Sequence, residues 1–394
     1  MVQMSRLSKT MKKELAQIQP SSILAFNQEI SAIPDIVKLT LGEPDFNTPD
    51  HVKQAAIKAI ENNDSHYTDS RGTEGLRQAA THFLNSKYDL NYDPDTQVLV
   101  TTGATEGIFS ALTAILNPGD SVIIPTPIFP QYIPVNILNG GTPIFVDTSD
   151  NGFVLSPEKL HATIEANKDT VKAIVLNFPN NPTGVTYKKD DLEKLAAVIK
   201  QYDIFVISDE IYSELTYDGT HVSMASILPE QTVLLNGASK SHAMTGWRIG
   251  LLCGPVDVVT EIAKVHQFAI TSATTNAQAA AEEAFKSGPD DGQKMRVVYQ
   301  ERRDLLIDGL QKAGFECASP NGAFYLFAKI PAGLIQNSVD FCYDLARKAK
   351  VAVIAGSSFG PGGEGYVRIS YAASTENLKE AIKRIQQYVT DNQD

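Results

Sequence analysis

One lysine stands where chemistry could be done. Val233-Leu234-Leu235 runs through Asn236-Gly237-Ala238-Ser239 into Lys240, and eight positions later Arg248 precedes a second apolar run, Ile249 to Cys253. The first run reads as a buried strand. The small residues after it leave room for a flat ligand beside the amine. A lysine at a strand end is either a salt-bridge partner at the sheet's edge or an amine kept for covalent chemistry. Taken alone, the first use is commoner, because most lysines are solvated. The other strand ends must decide.

Three of them carry suitable residues. After Phe205-Val206-Ile207 the chain reads Ser208-Asp209-Glu210-Ile211-Tyr212, so the Asp209 carboxylate sits where an apolar strand emerges. A helix cap is its alternative use. After Ile174-Val175-Leu176 comes Asn177-Phe178-Pro179-Asn180-Asn181-Pro182-Thr183-Gly184, where Asn-Pro and Thr-Gly also spell a plain tight turn. After Val98-Leu99-Val100, the stretch Thr101-Thr102-Gly103-Ala104-Thr105-Glu106-Gly107 leads into a helix expected over Glu106–Leu116. Small residues there expose backbone N–H groups at the positive end of the helix, a seat for phosphate, although such turns also occur empty. Together these ends offer an amine, an arginine, a phosphate seat, a carboxylate and an amide. No GxxxxGK[ST] loop speaks for nucleotide triphosphates. Gly360-Pro361-Gly362-Gly363-Glu364-Gly365 satisfies GxGxxG, yet a strand follows it instead of a helix, so dinucleotide binding fails on context. The seven histidines form no metal-ligand motif, and no metal site is expected. His242 reads as a packing or surface residue.

These ends need a sheet to hold them. Apolar runs recur at Gln97–Thr101, Ser121–Pro125, Pro143–Val146, Ala173–Asn177, Ile204–Ser208, Val233–Leu235 and Ile249–Cys253, mostly separated by helical patterns. Continuous apolarity marks strands covered on both faces. The expectation is α/β: a three-layer α/β/α large domain with a mainly parallel seven-stranded sheet, plus a smaller α+β domain. Such sheets bind ligands beyond the carboxyl ends of their strands. The chain's 394 residues exceed one ordinary core. We divide it into an N-terminal arm that joins the small domain (1–42), a large domain (43–290) and a small C-terminal domain (291–394). In the last, Val351–Ile354 and Tyr366–Tyr371 read as strands, and Ser374 or Thr375 caps a final helix over Glu376–Val389. A net charge of −12 opposes binding to nucleic acid or anionic membrane. Cys253, Cys317 and Cys342 show no CxxC pair and read as core thiols of a reducing cytoplasm. No apolar run approaches membrane-spanning length.

With the elements placed, a resemblance emerges. Asn181-Pro182-Thr183-Gly184, Ser208-Asp209-Glu210-Ile211-Tyr212, Ser239-Lys240 with Met244-Thr245-Gly246-Trp247-Arg248-Ile249-Gly250, and Arg368-Ile369-Ser370 resemble the motifs of the pyridoxal-phosphate-dependent class I aminotransferases of fold-type I. Within that family the chain looks closest to the bacterial branch holding aromatic and N-acetyl-diaminopimelate aminotransferases. The ordered motifs run from Leu41-Gly42-Glu43-Pro44 to Arg368, nearly the whole chain.

The resemblance implies pyridoxal 5′-phosphate held in the large domain, with a role for each residue. Lys240 would bond the cofactor aldehyde and then move the substrate Cα proton as base and acid. Asp209 would keep the pyridine nitrogen protonated. Tyr212 and Asn181 would hydrogen-bond the phenolic oxygen. Gly103, with the N–H groups of Ala104 and Thr105, would seat the phosphate together with Ser239 and Arg248. Phe129 would stack on the ring, with a core aromatic as its alternative. Arg368 would clamp the substrate α-carboxylate with help from the Gly42 backbone. Tyr67 would reach the phosphate in a neighbouring subunit, which makes an active-site-sharing homodimer the expected partner state. One departure stands out: many relatives carry serine three residues before the lysine, where this chain has Gly237.

The expected reaction is ping-pong amino transfer from an aromatic or broad range of amino acids to a 2-oxo acid such as 2-oxoglutarate. N-acetyl-LL-diaminopimelate or aspartate-type transfer, or a C–S lyase on the same scaffold, are the alternatives. A transcription regulator using the fold as a sensor would need a DNA-binding domain ahead of Leu39. No second arginine comparable with Arg368 is evident for a distal carboxylate, and Ile18, Ile23 and Phe26 are expected as apolar pocket walls.

Overall fold

The computed structural model describes residues 7–393, so residues 1–6 of the expected arm, and Asp394, lie outside the described residues. The first strand, β1 (Val37–Lys38), stands apart from the seven that follow. These are β2 (Val98–Thr101), β3 (Ser121–Thr126), β4 (Thr142–Asp147), β5 (Val171–Asn177), β6 (Phe205–Asp209), β7 (Thr232–Gly237) and β8 (Gly250–Cys253). They form one sheet in the order β2-β8-β7-β6-β5-β3-β4. Only β8 runs against its neighbours, so the sheet is mainly parallel, as the unbroken apolar runs require. Strands β2, β3, β7 and β8 are buried throughout, whereas β4, at the sheet's edge, is largely exposed. Three buried clusters fill the two helix–sheet layers.

A second sheet carries the other half of the site. β9 (Glu316–Cys317), β10 (Tyr325–Lys329), β11 (Val351–Ala352), β12 (Ile354–Ala355) and β13 (Tyr366–Ser370) complete the strand set, and four of them make an antiparallel sheet in the order β12-β13-β10-β9. β11 instead pairs in parallel with β1. The single strand expected over Val351–Ile354 is thus two, because its halves hydrogen-bond different partners. Phe26 and Ile30, from the helix Ser22–Ile30, share the apolar core of this unit with Phe341, Leu345 and Ile385. The final helix spans Thr375–Asn392 and Ser374 caps it, accepting from the Asn377 N–H.

Two further differences from the sequence reading concern helices. Glu74–Tyr88 forms a helix that the pattern reading passed over, although Thr73 caps it and Leu76, Ala80, Phe83 and Leu84 line its buried face. The helix after β2 begins at Gly103, three residues before Glu106. That shift places Ala104 and Thr105 inside its first turn, where backbone N–H groups have no intrahelical acceptor. Cys317, expected in the core, is partly exposed on β9, while Cys253 and Cys342 are buried.

Candidate active site

Register brings the strand ends together. Asn177 pairs with Asp209 across β5 and β6, and Gly237 pairs with Gly250 across β7 and β8. A cleft of about 370 Å³ opens over them, and every site residue expected from the sequence lines it except Gly103 and Tyr67. Lys240 lies on the short helix Ala238–Ser241, half-buried, and its Nζ donates to the Gly42 carbonyl at 2.5 Å. Burial lowers its pKa to about 8, Glu43 opposing this and Arg248 adding to it. Near neutrality an unusual share of the amine is therefore uncharged and nucleophilic.

Asp209 is 4 % exposed. Its Oδ2 accepts from the Tyr132 hydroxyl at 2.6 Å and its Oδ1 from the Ile211 N–H at 3.2 Å. Burial raises its pKa to about 6, and those two hydrogen bonds hold the rise back. A cation placed against it would favour the carboxylate further.

Arg368, fully buried at mid-strand in β13, donates to the Asn181 amide oxygen at 3.0 Å and to the Thr40 carbonyl at 2.6 Å. Its guanidinium carbon lies 4.6 Å from the Tyr325 ring centroid and 5.0 Å from that of Phe359. Its Nε is buried without an acceptor. Tyr325 in turn shares a hydrogen bond of 2.8 Å with the Tyr212 hydroxyl, so one buried tyrosine links arginine and Tyr212. On the other side Arg248 adopts φ 59°, ψ 51°, an uncommon left-handed conformation for a side-chain-bearing residue. Its guanidinium lies against the start of the Gly103–Ile115 helix, where a Cβ on Gly103 would fall 2.4 Å from Nη2. Glycine there keeps the helix N-terminus and the arginine on one small space.

The comparisons with known proteins follow this geometry. The family model for aminotransferase class I and II matches residues 34–385. The chain is 44% identical to a probable N-acetyl-LL-diaminopimelate aminotransferase of Bacillus subtilis, covering 95% of this chain and 94% of that one. It is 37% identical to aromatic-amino-acid aminotransferase 2 of Thermococcus litoralis, covering 96% and 97%. Among solved structures, the aspartate aminotransferase of Thermus thermophilus with maleate superposes with a TM-score of 0.90 at 37% identity, over 96% of this chain and 99% of that one.

The chain belongs to the class I and II aminotransferase family.

As such it is an enzyme that uses pyridoxal 5′-phosphate to pass an amino group between amino acids and 2-oxo acids. The residues present fit that cofactor. The cleft joins a depressed-pKa amine, a dry carboxylate, a glycine-cleared cradle of helix N–H groups with an arginine, and a buried arginine Nε lacking an acceptor. In this aminotransferase a serine has no room at position 237. Gly237 has φ 155°, and a Cβ would lie 2.9 Å from both Gly250 Cα and the Ile249 carbonyl.

Some placements narrow an expectation, as at Gly42 and Tyr67, and others depart from it, as at Ile18 and Phe26. The Gly42 carbonyl is taken by Lys240, so only its N–H could face a carboxylate. Ile23 lines the cleft, but Ile18 lines a neighbouring apolar groove, and Phe26 packs inward against Tyr343 at 5.1 Å. Ile23 and Phe26 are i, i+3 neighbours on this helix, and Phe26 is drawn into the apolar core of the small domain while Ile23 stays at its rim, beside the cleft. Tyr67 is 87 % exposed and lines a separate surface groove of its own subunit. Sequence reasoning missed Tyr132 and Tyr325, which lie in apolar surroundings without motif. It also missed Glu210, whose wholly buried carboxylate accepts from Ser208, His221, Ser223 and the Met224 N–H and thereby pins the Ser208–Tyr212 segment. Only its adjacency to Asp209 could have pointed to it.

Proposed function

We propose that the aminotransferase takes its amino group from aromatic or broad-range donors and passes it to 2-oxoglutarate by a ping-pong mechanism. One observation carries this choice. Among the described residues lining the cleft the cations are Lys240, Arg248 and Arg368, and each has a task, so a distal carboxylate, that of 2-oxoglutarate included, would have to draw on the partner subunit or on solvent, whereas an apolar donor side chain finds its walls in the cleft itself. The walls left for the side chain include Ile23, Leu24 and Ile108. Apolar walls reward aromatic and aliphatic groups by burial.

When bound, the cofactor supplies an aldehyde and a ring that draws electrons away from the substrate Cα. Lys240 would hold the cofactor through its Nζ, and once the amine of a substrate has displaced it, that free Nζ would take up and return the Cα proton. Asp209, held by Tyr132 and Ile211, presents its negative charge to the ring nitrogen. The N–H groups of Ala104 and Thr105, with Ser239 and Arg248, hold the phosphate, while Gly103 keeps the cradle open. Tyr212 and the amide nitrogen of Asn181 face the phenolic oxygen, and Phe129 covers the ring. Arg368 offers its unpaired Nε to the substrate α-carboxylate. Tyr67 belongs to the same proposal as a phosphate ligand contributed across a homodimer, supported by its exposure and that of Phe268, 87 % and 90 %. The assignment of the arm to the small C-terminal domain is supported by the β1–β11 pairing, a two-stranded sheet that joins Val37–Lys38 to Val351–Ala352. A cytoplasmic location is supported by three free thiols.

A second reading, N-acetyl-LL-diaminopimelate as donor, draws support from the name of the Bacillus subtilis relative at 44% identity. A panel of donors against 2-oxoglutarate, following both oxo-acid and ammonia, tests the choice. Aromatic and large aliphatic donors are expected to exceed aspartate in kcat/KM by about tenfold or more, a gap that a missing ionic partner readily produces. Aspartate leading the panel would overturn the proposal. N-acetyl-LL-diaminopimelate leading selects the second reading, and ammonia release selects a lyase.

A further inference from the structure

Glu106 poses an electrostatic problem for the phosphate seat. It follows Thr105 directly in the first turn of the Gly103–Ile115 helix. Its Oε2 accepts from the Thr102 N–H at 3.1 Å and its Oε1 from the Ser110 hydroxyl. Reaching back to the residue before the helix in this way satisfies an orphan donor. It also sets a carboxylate, with its side chain 11 % exposed, in the same turn as a dianionic phosphate. A bare carboxylate there would oppose the phosphate and spend the helix N-terminal field on itself.

His266 answers that charge. It lies on the helix Val256–Ile270 with its side chain 1 % exposed. Its Nδ1 is 3.2 Å from both Glu106 oxygens, and its Nε2 is 2.7 Å from the Ser70 carbonyl. The Ser70 carbonyl only accepts, so Nε2 carries a proton, and an ionised Glu106 at Nδ1 favours a second. The ring is an imidazolium clamped between the phosphate helix and the loop that bears Tyr67. Burial works against the charge, but Glu106 and Ser70 outweigh it and raise the His266 pKa. The other charged groups nearby are engaged elsewhere. On the loop, Asp69 accepts from the Arg71 N–H and Arg71 donates to the Thr96 carbonyl; on His266's own helix, Glu261 pairs with Lys264.

Resting on the phosphate seat proposed above, we infer that His266 is a positioning residue that neutralises Glu106 and so lets the helix N-terminus bind the cofactor phosphate. The effect is specific to the phosphate, and it is lost when His266 loses its proton.

Dissociation constants of the full-length protein for pyridoxal 5′-phosphate and for pyridoxal, which lacks the phosphate, separate the outcomes. His266→Gln is expected to weaken pyridoxal 5′-phosphate by about tenfold, as removal of one nearby charge does, and to leave pyridoxal unchanged. Adding Glu106→Gln removes the offending carboxylate and should return the affinity close to that of the wild type. Equal weakening of both ligands, no weakening, or a double variant as weak as His266→Gln would overturn the inference. A measurement that needs no variant stands beside these. The wild-type preference for the phosphorylated ligand should decline as pH rises through the raised His266 pKa, and a preference flat from neutral pH upward sinks the idea. Arg248→Gln is the control for the seat itself. If it fails to reduce that preference, the seat assignment falls; if it succeeds while His266→Gln does nothing, only the inference falls.

Discussion

Burial governs the reactive residues. The Lys240 amine has a pKa of about 8 because desolvation disfavours its charge. With apoprotein and saturating cofactor, the rate of covalent capture at Lys240 should climb about tenfold per pH unit and level off near pH 8, because only the neutral amine attacks. A plateau reached only near 10.5, the ordinary lysine value, would show that the amine is solvated. Asp209 is set the opposite way. Burial raises it to about 6 and Tyr132 restrains the rise. Asp209→Ala should add about 3 kcal/mol to the barrier, the usual scale of a preorganised charge. Tyr132→Phe should add about 1 kcal/mol, the scale of one hydrogen bond. Single-turnover rates with an amino donor measure both, and a rate within twofold for Asp209→Ala would remove it from the ring nitrogen.

Elements aim these residues. Arg368 is held by strand pairing, opposite Phe327 on one side and Ile354 on the other, so a single turn of the β13 pleat decides that it faces Asn181 and not the core. Lys240 depends on the crossing from β7 into the Ala238–Ser241 helix, which Gly237 makes at φ 155° with Gly250 Cα where a side chain would go. Gly237→Ala should cost about 2 kcal/mol or more of stability, since it combines a disfavoured backbone with a clash against main chain. The urea midpoint reads this directly, and an unchanged midpoint would mean that β8 can move aside. Much at this scale was legible beforehand. Continuous apolar runs located all seven strands within about two residues, because strands buried on both faces have no polar side to blur them; β4, largely exposed at the sheet's edge, is the exception to that reason. The Glu74–Tyr88 helix was missed because its apolar stripe, Leu76, Ala80, Phe83 and Leu84, is spread among polar outer-face residues such as Gln78 and His82 and forms no continuous apolar run.

At the scale of the whole molecule the question is which subunit supplies Tyr67. In its own subunit Tyr67 lines a groove with Ile60, Ser272 and Asn276 and does not line the cleft. Mixed dimers of Lys240→Ala and Tyr67→Ala subunits discriminate. In a shared-site dimer, one site combines an intact lysine with the intact tyrosine of the other subunit. Such hybrids should recover wild-type cofactor affinity at one site in two, although both parents are defective. Hybrids no better than the Tyr67→Ala parent would confine Tyr67 to its own chain.

The order of motifs along the chain determined the family and the cofactor and supplied the residues proposed to face it, because those depend on side-chain chemistry at strand ends that periodicity can locate. Tertiary structure decided the partners. Tyr132 on Asp209, Tyr325 on Tyr212, and His266 on Glu106 join positions 77, 113 and 160 residues apart. No local pattern encodes such pairs. They exist because a buried polar group must find a partner wherever the fold happens to bring one.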